Sequence, residues 1–105
     1  MEIKHKIWLE VDGRVFFGPG RDLLLKAIDE CRSLNAAAKK LDMSYRAAWG
    51  RVKASEERLG IRLVETEPGR TGMHLTETAR QLIRQFDLLD EEITRLLEEA
   101  NRNLP

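Results

Sequence analysis

Residues 33 to 60 read SLNAAAKKLDMSYRAAWGRVKASEERLG, and two serines and a closing glycine divide them into two helices. The Ser33 hydroxyl can take up a free backbone donor at the start of a short alanine-rich helix, Leu34 to Leu41, with Lys39 and Lys40 on its outer side. Asp42-Met43-Ser44 is a tight turn. Ser44 then caps a longer helix that runs to about Leu59 and stops at Gly60.

Helical phase sorts the longer helix. Ala48, Val52, Ser55 and Leu59 recur at spacings of four, three and four and form the inward stripe. Tyr45, Arg46, Trp49, Gly50 and Lys53 therefore point away from the core. A mid-helix glycine costs about 1 kcal/mol against alanine, so Gly50 serves something other than helix stability. It could let the backbone approach a ligand surface or permit close helix packing. Trp49 could likewise meet a ligand or cover an edge of its own domain.

On the N-terminal side, Ile7, Leu9 and Val11 alternate with polar or exposed-type residues up to Asp12-Gly13, before Val15, Phe16 and Phe17. Asp-Gly between such runs predicts a β-hairpin. Gly18-Pro19-Gly20 breaks the strand, and from Arg21 the residues Leu24, Ala27, Ile28 and Cys31 predict a first helix with one apolar stripe. That stripe places Cys31 in the core. On the C-terminal side, Ile61 to Thr66 and Met73 to Leu75 read as two short strands around a loop, Glu67 to Gly72.

Thr76 caps the last helix, with Glu77 in its first turn. Ala79, Leu82, Phe86, Leu89, Ile93, Leu96 and Ala100 follow strict 3-4 spacing, which is a coiled-coil seam. Ile83 and Leu97 widen it, which suits a helix packing on its own domain at one end and on a partner at the other. Such a helix is longer than a domain of this size covers with its own core, so the seam is expected to meet a second copy of the chain.

The 105 residues, 42% of them hydrophobic, make one structural unit. Residues 1–75 form the hairpin and the helical body, and 76–105 the dimerisation helix. The lone cysteine excludes an internal disulfide, and the apolar runs fall short of the roughly 18 residues of a membrane span. With no visible signal segment, a cytoplasmic protein is expected. Net charge is zero, but residues 32–80 carry 10 basic and 6 acidic side chains while residues 81–105 carry 3 and 6. A basic middle beside an acidic tail suits an anionic partner of the middle segment.

Hairpin, helix, serine-capped short helix, tight turn, longer helix and two-stranded loop are in the order of a winged helix-turn-helix. The fold class expected is mainly α with small β elements. In such a fold the second helix lies across the phosphate backbone, the third enters the major groove and the wing follows the flanking duplex. Lys39 and Lys40 would lie beside the backbone, Arg46 and Lys53 on the groove helix, and Arg70 at the wing tip. Arg46 has the fork geometry for a guanine edge, and Tyr45 and Trp49 offer flat surface to thymine methyls or sugars.

The same residues, SLNAAAKKLDMSYRAAWGRVKASEERLG followed by LVE, LTETARQLI and QFDLLDEE, resemble the N-terminal DNA-binding domain of ModE-type molybdate-responsive regulators. More distantly they resemble the winged helix-turn-helix of LysR-type regulators. The resemblance implies a homodimer joined through the long helix and reading a palindromic operator on double-stranded DNA. It implies phosphate contacts at Ser33 and Asn35, a groove face at Ser44, Tyr45, Arg46, Trp49 and Lys53, and wing contacts at Arg70 and Thr71. Arg32 departs from it, standing where the family commonly has a glycine. ModE-type regulators sense molybdate through a separate C-terminal domain, and this chain stops after the dimer helix, so molybdate sensing is not expected within it.

Two other classes compete. An enzyme would need a nucleophile–base pair or a metal cluster, and His5, His74 and Cys31 supply neither at useful spacing. No cofactor or metal is expected. A protein-interaction module would have little use for Arg46 and Lys53 beside an outward tryptophan, whereas phosphate-rich DNA would.

Overall fold

The computed structural model describes residues 1–66 and 72–105. It has β1 (Leu9–Val11), β2 (Arg14–Phe17), α1 (Pro19–Cys31), α2 (Leu34–Lys40), α3 (Tyr45–Leu59), β3 (Val64–Glu65), β4 (His74–Leu75) and α4 (Glu77–Arg102). The strands form two separate antiparallel pairs, β1 with β2 and β3 with β4. This is the winged helix-turn-helix that the element order predicts.

At the tip of the first hairpin, Asp12 and Gly13 both take positive φ, 50° and 77°, as a two-residue turn matching the strand twist requires. The register slips between Leu9, opposite Phe17, and Glu10, opposite Val15. This bulge lets the consecutive residues Phe16 and Phe17 both be buried, which strict alternation would forbid. The Ser55 hydroxyl donates to the Phe16 carbonyl and the Arg58 guanidinium to that of Val15, fastening the hairpin to α3.

Pro19 needs no backbone donor at the first helical position, so α1 starts two residues earlier than its apolar stripe suggests. Leu24, Leu25, Ala27 and Ile28 are buried beneath it. Cys31, expected in the core, is only half-buried, because it falls in the last turn as the chain leaves the core. Arg32 then adopts φ 57° and its N–H bonds the Ile28 carbonyl, so the helix stop that usually takes glycine is made here by an arginine. Lys26 donates to Asp22 at 2.8 Å and to Asp87 at 3.0 Å, tying α1 to α4.

The serine caps stand where the sequence places them. Ser33 Oγ accepts from Ala36 N and Ser44 Oγ from Ala47 N, each at 3.0 Å. Between these helices Asp42 turns left-handed at φ 56°, and Met43 N reaches back to the Ala38 carbonyl at 2.8 Å. Asp tolerates that conformation better than most residues.

The wing strands are two residues each, shorter than the sequence predicts. Other groups take backbone donors in and beside them: Leu63 N bonds the Glu56 carboxylate at 2.8 Å, Leu75 N bonds Asp29 at 3.2 Å, and Met73 N bonds the carbonyl of Arg32, just past α1, at 2.8 Å. Gly72, at φ 114°, packs so close to Arg32 that a Cβ would lie 3.1 Å from its carbonyl oxygen. Only glycine enters the wing base at that point without strain.

The core joins Phe17, Ile28, Ala37, Ala48, Leu63 and Ala79 from all parts of the chain. Phe86 reaches it from α4 and meets Phe17 edge to face at 4.9 Å. The expectation that Ala79 and Phe86 belong to an intermolecular seam is therefore corrected. They are 0% and 5% exposed within their own domain, because the first turns of α4 lie directly on the hydrophobic core.

Candidate nucleic-acid interface

α3 presents one side to the core and the other to solvent. Ala48, Val52 and Ser55 are fully buried and Leu59 partly so, as helical phase requires. Tyr45, Arg46, Trp49 and Gly50 are exposed on the opposite side. At Gly50 an added Cβ would meet nothing within 4 Å. Close packing against another helix of this chain is thus not why a glycine stands there, and its bare backbone faces open solvent.

Trp49 keeps 37% of its surface exposed, and the Lys53 ammonium lies 4.4 Å from its ring centroid. A cation over an indole face is attracted by the ring quadrupole. The same ammonium is 3.1 Å from Glu56 Oε1. Lys53 is therefore no free cation on the groove side, as its phase alone would have it. It holds the indole in place and is itself held by Glu56.

Glu56 was not singled out by sequence pattern, although its spacing of three from Lys53 is visible there. Burial raises its carboxyl, but the Leu63 N–H, the Lys53 ammonium and the Val64 N–H together outweigh burial and hold it below its ordinary value. One side chain thus connects α3 to the base of the wing.

The other candidates divide similarly. Asn35, Lys39 and Arg46 are exposed, whereas Lys40 is paired with Glu30 at 2.8 Å. Ser33 and Ser44 spend their hydroxyl acceptors on capping, which orients the first turns of α2 and α3 whatever else they touch. Arg70 and Thr71 lie outside the described residues.

On α4, Leu82 is partly buried. It lines, with Leu9, Phe86, Leu88 and Leu89, an open groove of about 400 Å³. Leu88, Leu89 and Leu96 are 53%, 48% and 66% exposed, while Ile93 and Ala100 are half-buried. Leu88 lies off the strict seam, and its adjacency to Leu89 is the signal that could have found it. No helix among the described residues is long and apolar enough to cross a membrane.

A family model described as "Bacterial regulatory helix-turn-helix protein, lysR family" matches residues 23–80, from α1 through the start of α4. The chain belongs to that family. As a LysR-family domain it is also ModE-like: the Transcriptional regulator ModE of Haemophilus influenzae is 34% identical over 85 residues, which cover 78% of this chain and 33% of that protein. Molybdenum-pterin-binding protein MopB of Rhodobacter capsulatus is 32% identical over 90 residues, covering 83% of this chain and 33% of that one. The chain spans about a third of the length of these curated relatives. Among solved structures, the CbnR DNA-binding domain in complex with DNA superposes with a TM-score of 0.59 at 25% identity, covering 78% of this chain and 93% of that one. The LysR-family chain is therefore a DNA-binding domain of a transcriptional regulator and not an enzyme.

Proposed function

We propose that the chain acts as a homodimer whose paired α3 helices read the two halves of a palindromic operator, in the cytoplasm, as part of molybdenum-linked gene control. The observation that carries this reading is the outward face of α3. Tyr45, Arg46 and Trp49 are exposed around a glycine whose missing side chain leaves the helix backbone open. Arg46 makes the base contact, Tyr45 and Trp49 supply flat apolar contacts, and Lys53 positions Trp49. Lys39 and the first turns of α2 and α3 meet phosphates, with Ser33, Asn35 and Ser44 at those turns. Lys40 must exchange Glu30 for phosphate. Arg70 and Thr71 are the wing contacts in this reading.

The apolar stripe of α4 supports the symmetric assembly, since Leu82 in its near half and Leu89, Ile93, Leu96 and Ala100 in its far half keep part of their surface open. A two-fold dimer presents two groove helices and so demands two half-sites. The names of the relatives support the molybdenum link, with the effector read outside this chain.

Selection of bound sites from random duplex DNA, with and without molybdate, tests the proposal. A palindrome recovered equally in both arms is expected. Failure to enrich any sequence would overturn operator reading, and a molybdate-dependent yield would overturn sensing elsewhere. On the recovered site, Arg46→Ala should cost about 1–3 kcal/mol and relax base preference at one position. Equal losses on cognate and random duplexes would remove Arg46 from base reading.

A further inference from the structure

A cavity of about 430 Å³ opens at the start of α1, lined by Lys6, Trp8, Val15, the Gly18-to-Arg21 turn and Arg51. Three cations reach it from three parts of the chain. Among the described residues none of the three forms an ion pair, and Arg21 Nε is buried without a hydrogen-bond partner. Burial first, and then repulsion from Arg58 and Arg51, holds the Arg21 guanidinium below its ordinary range. Like charges gathered this way are unfavourable in the empty site and are relieved by an anion. Glu10 does not line the cavity, and its carboxylate accepts from Trp8 Nε1 at 2.7 Å. The Trp8 ring, half-exposed, gives one wall a flat apolar face.

We propose that this cavity binds a small organic anion, its phosphate or carboxylate held by Arg21, Arg51 and Lys6 and its planar body laid against Trp8. Guanidinium forks match both oxyanion types, and the volume suits a small molecule. The duplex proposed above is not the occupant. Five residues of α-helix separate Arg51 from Arg46, which turns it about 140° around α3 from the groove face. Arg58, seven residues on from Arg51, shares its side and is already given to the Val15 carbonyl. The site is thus independent of the operator reading.

Phenyl phosphate tests it, with Trp8 fluorescence as the readout in a Trp49→Phe background at constant ionic strength. A saturable change is expected, weakened about tenfold or more by Arg51→Gln and by Lys6→Gln, as loss of a charge-assisted hydrogen bond implies. Arg46→Gln should leave it unchanged. Arg51 and Lys6 are exposed, so both variants should keep the circular dichroism of the parent. Inorganic phosphate should compete, but bind more weakly for want of the ring. A linear response that chloride reproduces, or full binding by both variants, would overturn the proposal. So would a duplex affinity whose salt slope falls by about one in Arg51→Gln, because that assigns the cation to DNA phosphate.

Discussion

The two halves of α4 follow one spacing rule and meet different fates. In the near half Ala79, Ile83 and Phe86 are 0%, 8% and 5% exposed, whereas in the far half Leu89 and Leu96 are 48% and 66% exposed. The helix runs about 39 Å at 1.5 Å per residue, in a molecule whose extents are 59 × 30 × 22 Å. Its own core cannot follow it that far. A regular apolar stripe therefore states that a helix is covered, but which surface covers each turn depends on where the domain ends.

The contrast breaks most visibly at Phe86. Phe86→Ala should cost about 3–5 kcal/mol in urea unfolding, as expected for a buried aromatic. A loss under about 1 kcal/mol would contradict its place in the intramolecular core. The cap of α4 should matter next. Glu56 bonds Leu63 N, and the Leu63 carbonyl in turn accepts from Thr76 N at 3.0 Å, just where α4 starts. Glu56→Ala should cost about 1–3 kcal/mol by leaving buried donors unpaired.

Acid should reproduce part of that loss. A carboxyl held below its ordinary value contributes stability above its unfolded pKa, and the contribution fades as pH falls through the folded value. From about 4.5 downward, the parent should therefore lose melting temperature faster than Glu56→Gln. Parallel curves would contradict the shift.

In the far half, Leu89→Glu with Leu96→Glu should change the unfolding free energy of the isolated chain by only about 0.5 kcal/mol, since both side chains are exposed. Light scattering should nevertheless show the mass falling to that of a monomer. An unchanged dimer would place the interface elsewhere. The smallest effect is expected from His5→Ala, which removes a 2.7 Å contact to Asp90. About 0.2–1 kcal/mol is at stake, read as faster amide exchange around Asp90 and a melting temperature lowered by no more than about 4 °C.

Legibility in the sequence followed the locality of each determinant. The caps at Ser33, Ser44 and Thr76, the Asp12-Gly13 turn and the inward phase of α3 rest on residues a few positions apart, and all are found in the structure. The bulge at Leu9 and the shortened wing strands answer to packing and to side-chain bonds that spacing does not show, and the burial of Phe86 depends on Phe17, dozens of positions away. Lys53 marks the boundary. Phase gives the direction of its side chain correctly, but not its capture by Trp49 and Glu56. The cation cavity is less legible still, because Lys6, Arg21 and Arg51 share no spacing and meet only through the packing of the hairpin, α1 and α3.

The segment before β1 lies along the far half of α4. Ile3 N and its carbonyl exchange hydrogen bonds with the Asn101 amide at 2.6 and 3.1 Å, and His5 meets Asp90. The same segment continues into the hairpin that Ser55 and Arg58 grip from α3. In mechanical terms residues 3–17 are a tie rod between the far turns of α4 and the flank of α3. Between its two ends the rod is seated on the domain itself, since Phe16 and Phe17 are core residues and Ile7, Leu9 and Val11 pack against that core.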